Sequence, residues 1–303
     1  DIGGRNVVAG QMLNVQNEDV EFGNVDLDAT PVQLTPGPST PGTLRGVRVT
    51  GQRTADSGSG QVNLLLGRIL GRTTFGPSFQ SSSVNLDRDI CLVVDRSGSM
   101  YNLDTAEETP AGWAPCDPPH PSLSRWAGAS AAVTVFANEL LDTTPLEKLA
   151  LVTYSSETIA CGISYTESDI NVPLTTDVSG AVSAMAALSA GPINGMTNIT
   201  AGVQNGISVL TDTNYCRPFA KRTMIVLTDG LHNQGDPPIM LAANAVANNI
   251  VIHTITFSAT ADQAGMQQLA EATYGKHFHA PDSAALQVVF QQIARTLPVL
   301  MVE

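Results

Sequence analysis

The fold of this chain is decided by the stretch Asp89-Ile-Cys-Leu-Val-Val-Asp-Arg-Ser-Gly-Ser99. Its five consecutive apolar residues, 90–94, predict a strand that is buried on both faces, as in a parallel sheet. The chain then turns polar and presents Asp95, Ser97 and Ser99. A carboxylate and two hydroxyls are hard oxygen ligands, which suit a divalent cation such as Mg²⁺. Because open α/β sheets bind ligands at the carboxyl ends of their strands, we expect a cation site here.

Two later stretches complete the pattern. Gly195-Met-Thr-Asn-Ile199 places Thr197 in a loop before a predicted helix, and Ile225-Val-Leu-Thr-Asp-Gly230 ends a second buried strand at Asp229. In this order the residues resemble the metal-ion-dependent adhesion site of von Willebrand factor A domains, here formed by Asp95, Ser97, Ser99, Thr197 and Asp229. The alternative is that the serines merely cap the turn that follows the strand.

The resemblance has consequences for the metal and for its ligands. It implies that Ser97, Ser99 and Thr197 ligate Mg²⁺, or Ca²⁺ or Mn²⁺, directly, while Asp95 and Asp229 act mostly through bound waters. It also implies a coordination position that a carboxylate from a protein partner fills. Neutral hydroxyl ligands leave the cation electrophilic, which suits binding of an acidic group better than hydrolysis.

Composition narrows the function further. The chain has 303 residues, of which 43% are hydrophobic and 14% charged, so we expect a globular protein with one large and one small domain. The formal net charge of −13, without Lys or Arg clusters, argues against nucleic acid or anionic membrane as partner. No apolar run is long enough to span a membrane, and the start lacks Met, so we expect a processed or truncated product. Any membrane anchor would lie in a segment missing from this chain.

The pattern of predicted elements changes near residue 88. Residues 1–17 are ambiguous, and part of them resembles the tail of a helix. Residues 18–87 alternate polar and apolar positions between turn signals, which predicts a small all-β module. The short apolar run 298–303 is expected to return and add a strand to this module. Residues 88–297 form the predicted A domain.

Strands and helices alternate in the second part, which predicts an α/β fold with a doubly wound, mostly parallel six-stranded sheet. Strands are predicted at 90–94, 150–154, 158–165, 222–228, 251–257 and 277–279. Helices are predicted at 124–141, 177–189, 200–210, 237–248, 261–273 and 283–297. The strands 150–154 and 158–165 are expected to pair as an antiparallel edge of the sheet.

Four cysteines lack the CxxC spacing of a zinc site. Cys116 and Cys161 are both expected at the metal end of the sheet, and Cys91 and Cys216 at the opposite end. Two disulfides, Cys116–Cys161 and Cys91–Cys216, are one interpretation, and buried free thiols are the other. The first bond would tie down the Pro-rich insertion 101–124, which either shapes partner recognition at the metal or is a decorative loop.

A narrower resemblance covers nearly the whole chain. The chain is similar to TadG-type proteins of bacterial tight-adherence (Tad) pili, which are envelope or pilus-associated components. The similar stretches are Asp19-Val-Glu-Phe-Gly23, Val47-Arg-Val-Thr-Gly-Gln-Arg53, the 89–100 motif, Ile252-His-Thr-Ile-Thr-Phe-Ser258 and Gly275-Lys-His-Phe-His-Ala-Pro-Asp282. Proteins of this type carry an N-terminal membrane helix that this chain lacks.

These observations predict a non-enzymatic bacterial protein of the extracellular space, cell surface or envelope. It would bind a divalent cation and, through it, the Asp or Glu of a protein partner, with other pilus or surface subunits as further partners. Ser97 lies in no Gly-x-Ser-x-Gly elbow, and phosphate-loop and dinucleotide motifs are absent. Two alternatives remain: a structural subunit of a surface lattice or filament whose metal only stabilises the fold, and an intracellular metal-dependent assembly factor.

Overall fold

The computed structural model describes residues 7–8, 11–25, 33–38, 44–85, 87–105, 109–143, 147–217, 220–295 and 299–302. The chain divides into two compact units. The first, which we call the β module, comprises Asp1–Leu86 and Leu297–Glu303. The second, the α/β unit, comprises Asp87–Thr296.

The β module is built on a five-stranded antiparallel sheet with the order β17-β8-β5-β3-β4. Its strands are β3 (Val20–Val25), β4 (Leu34–Pro36), β5 (Leu44–Gln52), β8 (Ser78–Asn85) and β17 (Val299–Val302). Among the described residues of the module, Val25, Leu34 and Val84 are buried and apolar. Gly23 lets β4 approach closely, because a Cβ there would lie 2.3 Å from the Thr35 carbonyl oxygen.

The β module also contains several short elements outside this sheet. They are two antiparallel pairs, β1 (Val7–Val8) with β2 (Gln11–Met12) and β6 (Val62–Asn63) with β7 (Thr74–Phe75), and 3₁₀ turns at Asn17–Asp19 and Gly67–Leu70. The helix tail expected near the N-terminus is therefore wrong where it can be compared, since residues 7–8 and 11–12 form strands. Residues 1–6 and 9–10 lie outside the described residues.

The α/β unit contains the predicted six-stranded sheet, with the order β13-β10-β9-β14-β15-β16. Five strands are parallel, and β13 is antiparallel to its neighbour. The strands are β9 (Arg88–Asp95), β10 (Lys148–Tyr154), β13 (Ser168–Thr175), β14 (Lys221–Thr228), β15 (Ile250–Phe257) and β16 (His277–Ala280). Every residue of β9 is buried, as its apolar run predicts.

Within the described residues of the α/β unit, six helices cover the two faces of this sheet. They are α1 (Arg125–Leu141), α2 (Ser179–Leu188), α3 (Ile199–Thr211), α4 (Ala242–Ala247), α5 (Gln263–Ala272) and α6 (Ser283–Ala294), with 3₁₀ turns at Gly98–Tyr101 and Pro238–Leu241. Alternate residues of β9 point to opposite faces. Leu92 joins a core with α1, α2 and α6, whereas Val93 joins a core with α3, α4 and α5. The doubly wound architecture predicted from the sequence is confirmed.

The antiparallel edge of the sheet differs from the prediction. The partner of β10 is Ser168–Thr175, which the sequence analysis did not assign as a strand. Residues 158–165 form a separate hairpin instead, β11 (Thr158–Ala160) with β12 (Ile163–Tyr165). Its turn is Cys161-Gly162, and both residues have positive φ, 53° and 74°. This tight turn makes 158–165 two short strands rather than one long strand.

Candidate metal centre

Two neighbouring parallel strands bring the acidic residues together. β9 ends at Asp95, and β14 ends at Thr228, directly before Asp229. Both carboxylates are fully buried. Asp95 Oδ1 accepts a hydrogen bond from the Ser97 backbone N–H (2.8 Å), and its Oδ2 accepts from the Thr228 hydroxyl (2.8 Å). The carboxyl edge of the sheet thus holds two acids that the sequence separates by more than a hundred residues.

The three predicted hydroxyl ligands form a continuous chain with Asp229. The Ser99 hydroxyl donates to Asp229 Oδ1 (2.6 Å), and the Ser97 and Ser99 hydroxyl oxygens are 3.0 Å apart. The Thr197 hydroxyl donates to Ser97 Oγ (3.2 Å). The structure therefore brings Asp95, Ser97, Ser99, Thr197 and Asp229 into one cluster. Thr228 belongs to the same network, although the sequence analysis did not single it out.

The backbone of the loops fixes this cluster. The Gly98 N–H donates to the Gly195 carbonyl (2.9 Å), which joins the loop after β9 to the loop that carries Thr197. Asn233 joins Thr197 to the loop after Asp229 with two hydrogen bonds, of 2.8 and 3.1 Å. Gly230 lies against the hydroxyls, because a Cβ there would be 3.4 Å from both Ser99 Oγ and Thr197 Oγ1.

The two buried acids are held in an unfavourable electrostatic environment. Burial, and then the nearby charge of Asp229, raise the pKa of Asp95 to about 7. Burial also raises the pKa of Asp229, although hydrogen bonds from Ser99 and Arg125 oppose this shift. Such raised pKa values mean that additional positive charge would stabilise the ionised carboxylates at this edge of the sheet.

Arg125 already supplies part of that charge. It is the first residue of α1, and its Nη1 donates to Asp229 Oδ2 at 2.7 Å. Arg125 is not among the residues predicted for the site, because nothing in the local sequence shows that the start of α1 faces the end of β14. The preceding Ser124, which caps α1 by accepting from the Ala127 N–H, marks where the helix begins.

The donor set fits a hard divalent cation. Carboxylate and hydroxyl oxygens are the ligands that Mg²⁺ and Ca²⁺ prefer, and five such side chains converge here. Across the described residues, there is no group of three or more His, Cys, Asp or Glu side chains that could hold a metal. The cluster contains two carboxylates and three hydroxyls, so it offers a bound cation less negative charge than a cage of carboxylates would.

The insertion 101–124 closes on itself beside this site. Leu103 and Ser124 pair at its base, and the Arg125 N–H donates to the Asn102 carbonyl (2.9 Å). Trp113 stacks on Tyr101 with ring centroids 4.1 Å apart. The Cys116–Cys161 disulfide joins the insertion to the turn of the β11–β12 hairpin, so this predicted bond is confirmed. Residues 106–108 of the insertion lie outside the described residues.

The second suggested disulfide is wrong. Cys91 and Cys216 are free thiols, with Cys91 fully buried in the core of β9. The Cys91 Sγ points to the Leu92 carbonyl (3.8 Å) and the Cys216 Sγ to the Val209 carbonyl (3.4 Å). Each thiol therefore has its own backbone acceptor, and the interpretation as free thiols holds for this pair.

Solved structures with a similar fold come from varied sources. A von Willebrand factor type A protein from Catenulispora acidiphila aligns with a TM-score of 0.52 and 16% identity, over 71% of this chain and 44% of that one. An aerotolerance-related membrane protein from Bacteroides fragilis aligns with a TM-score of 0.51 and 15% identity, over 68% of this chain and 98% of that one. Proximal thread matrix protein 1 from the mussel byssus, with a zinc-occupied MIDAS motif, aligns with a TM-score of 0.52 and 15% identity, over 69% and 48%.

At such identities the likeness concerns the fold alone, and this chain spans less than half of the first and third of these proteins. A search of curated proteins finds no match. In the described part of the chain, no helix has both the length and the apolar character needed to cross a membrane. A family profile of the von Willebrand factor type A domain matches residues 89–292, which include the whole candidate metal centre. The chain therefore belongs to the von Willebrand factor type A domain family.

Proposed function

We propose that this protein binds a divalent cation through Asp95, Ser97, Ser99, Thr197 and Asp229, and through that cation an acidic side chain of a protein partner. The observation that carries this proposal is the hydroxyl chain from Thr197 through Ser97 and Ser99 to Asp229, in which each oxygen lies 2.6–3.2 Å from the next. Oxygens held this close by rigid loops can turn together toward one ion. Mg²⁺, Ca²⁺ and Mn²⁺ are the candidate ions, and the mussel protein with a zinc-occupied motif supports a cation at this position of the fold.

The charge of the site supports an acidic ligand. The two buried carboxylates and the Arg125 guanidinium leave one formal negative charge, so a bound divalent cation would make the site positive. A positive, partly buried site attracts a carboxylate. Two exposed apolar side chains next to the ligands, Met196 before Thr197 and Leu231 after Gly230, would then contact the residues that flank the partner's Asp or Glu.

Two features favour a role outside the cytoplasm. Disulfides persist mainly in oxidising compartments, and the Cys116–Cys161 bond joins the insertion 101–124 to the β11–β12 hairpin. Together with the similarity to TadG-type proteins, it favours an envelope, cell-surface or pilus-associated protein over the intracellular assembly factor. Adhesion or pilus assembly by binding, without catalysis, is the function proposed here.

Calorimetric titration with Mg²⁺, Ca²⁺ and Mn²⁺ tests the cation site. We expect the chelator-treated protein to bind at least one of them at a single site, and the Asp95→Ala, Ser97→Ala double variant to bind none. An Asp142→Ala, Ser208→Ala variant serves as the matched control, because it removes the same two kinds of side chain from exposed positions, one directly after α1 and one on α3.

The outcomes separate the possibilities clearly. If a folded wild-type protein binds no divalent cation, the proposed function is wrong, and a structural role for this edge of the sheet replaces it. If the control variant loses binding as well, the effect is not specific to the site. Binding that the double variant abolishes justifies a metal-dependent search for a partner with a surface Asp or Glu.

A further inference from the structure

Arg125 occupies a distinctive position at the metal centre. It opens α1 directly after the insertion, and its backbone is fixed by the hydrogen bond from its N–H to the Asn102 carbonyl. Its side chain is 15% exposed, while the carboxylate of its partner Asp229 is completely buried. The 2.7 Å contact between Nη1 and Asp229 Oδ2 is thus a largely buried ion pair and not a surface contact.

The guanidinium is incompletely paired. Its Nε is buried and has no hydrogen-bond partner among the described residues. Leaving a charged donor without an acceptor costs free energy, so packing alone would not favour an arginine here. The side chain is held on Asp229 by its charge, and Asp229 is also the acid that the hydroxyl chain of the metal centre reaches.

We propose that Arg125 sets the metal affinity of this site, because its guanidinium and a divalent cation are alternative counter-charges for Asp229. This inference rests on the proposed cation binding. A cation at the hydroxyl cluster would be repelled by a positive charge already seated on Asp229 Oδ2, and the weak screening of a buried site strengthens the repulsion. Arg125 therefore weakens binding of the metal.

The same repulsion links the metal to the partner. A carboxylate that reaches the cation adds negative charge to a site made positive by Arg125 and the metal, and so relieves the repulsion. Because such coupling is reciprocal, the metal strengthens binding of the acidic partner, and the partner strengthens binding of the metal. Arg125 thereby makes occupancy of the site depend on the partner's acid.

The experiment compares Mg²⁺ titrations of the wild type with those of Arg125→Met and Arg125→Gln. Methionine removes the charge, whereas glutamine removes it but keeps an N–H donor for Asp229. We expect both variants to bind Mg²⁺ about tenfold more tightly or better, which corresponds to about 1.4 kcal/mol. In chelator we expect both to melt at a lower temperature than the wild type, because Asp229 has lost its counter-charge, and Mg²⁺ should raise their melting temperature more than that of the wild type.

Arg295→Met is the matched control. Arg295 pairs with Glu139, which lies near the other end of α1. At a helical rise of ~1.5 Å per residue, Glu139 is about 21 Å along the helix from Arg125. Its removal changes the net charge equally but should leave the Mg²⁺ affinity unchanged. A variant that is unstable in chelator can be purified with Mg²⁺ and titrated by competition with a chelator.

The inference and the proposed function fail in different ways. Wild-type protein that binds no cation would contradict the proposed function. A different result would contradict only the role of Arg125. In that result the wild type binds Mg²⁺ and the Asp95→Ala, Ser97→Ala variant does not, but Arg125→Met and Arg125→Gln bind Mg²⁺ no more tightly than the wild type.

Discussion

The two ends of strand β9 carry buried acids in opposite situations. At the amino end, Asp89 Oδ1 accepts from Arg217 Nε and its Oδ2 accepts from the Arg217 backbone N–H, both at 2.8 Å. At the carboxyl end, Asp95 accepts only from neutral donors and faces a second acid, Asp229. Both residues are completely buried.

The comparison shows how one strand serves two purposes. The amino end is a network of ion pairs, in which Arg217 contacts both Asp87 and Asp89, and which includes the buried Arg88–Glu147 pair at 2.5 Å. The carboxyl end has too little positive charge for its acids, since Arg125 is the cation paired with Asp229 and Asp95 has none. Buried carboxylates that are paired with arginines stabilise the protein, whereas buried carboxylates with too few paired cations are suited to binding a cation.

The largest expected effect is the difference in stability when the same Asp→Asn substitution is made at each end of β9. An amide has a single acceptor oxygen, so Asp89→Asn would remove one of the two acceptors that this fully buried side chain offers Arg217, and one of the two carboxylates paired with that guanidinium, since Asp87 is the other. We expect it to lower the free energy of unfolding by about 2 kcal/mol, because Arg217 is partly exposed and keeps Asp87. Asp95→Asn should cost less than about 1 kcal/mol in chelator, because the Thr228 hydroxyl can turn and accept from the amide.

Urea denaturation of both variants, with and without Mg²⁺, measures this difference. Equal losses of unfolding free energy in the two variants would contradict the distinction between Asp89 as a structural acid and Asp95 as a ligand-binding acid. Added Mg²⁺ should stabilise the wild type and the Asp89→Asn variant, but not the Asp95→Asn variant.

The pH dependence of stability sharpens the comparison. Because burial and Asp229 raise the pKa of Asp95 from 3.8 to about 7, the folded protein holds this proton more tightly than the unfolded chain does. In chelator, this group should therefore make the free energy of unfolding fall as the pH rises from about 4 to about 7. Asp95→Asn should flatten the profile over that range, and an unchanged profile would show that Asp95 titrates normally.

The smallest expected effect concerns the start of α1. Ser124 Oγ accepts from the Ala127 N–H and donates to the His120 carbonyl, so it ties the insertion to the helix that carries Arg125. Ser124→Ala should cost about 1 kcal/mol in unfolding free energy. Thermal unfolding measures this loss, and Ser130→Ala within α1 is the control, which should change stability much less.

Much of the α/β unit could be predicted because its signals are local. The apolar run before Asp95 predicts a buried central strand, and five of the six predicted helices end within three residues of the observed bounds. The helix predicted at 237–248 is the exception, because Pro238–Leu241 form a 3₁₀ turn and α4 begins at Ala242. The edge strand β13 was missed because Ser168–Thr175 contains Asp169, Asn171 and Pro173, residue types that are depleted in strands. Residues 158–165, predicted as the antiparallel partner of β10, were therefore the wrong segment.

The candidate site shows the same limit. Its acids and hydroxyls lie in short motifs and can be read directly, but Arg125 and Thr228 act through contacts across more than a hundred positions. No local pattern shows which helix start faces which strand end. Cysteine pairing is limited in the same way, since proximity at one end of the sheet held for Cys116 with Cys161 and failed for Cys91 with Cys216.

The pairing of β17 with β8 has a mechanical consequence. The chain leaves the β module after Leu86 and returns at Leu297, and close to these two points Asn85 and Val299 are paired across the sheet. The α/β unit is thus a loop whose two connections are fastened together by hydrogen bonds. Tension applied between β3 and β17 would therefore act first on the hydrogen bonds between β17 and β8, and would reach the α/β unit only after these two strands have separated.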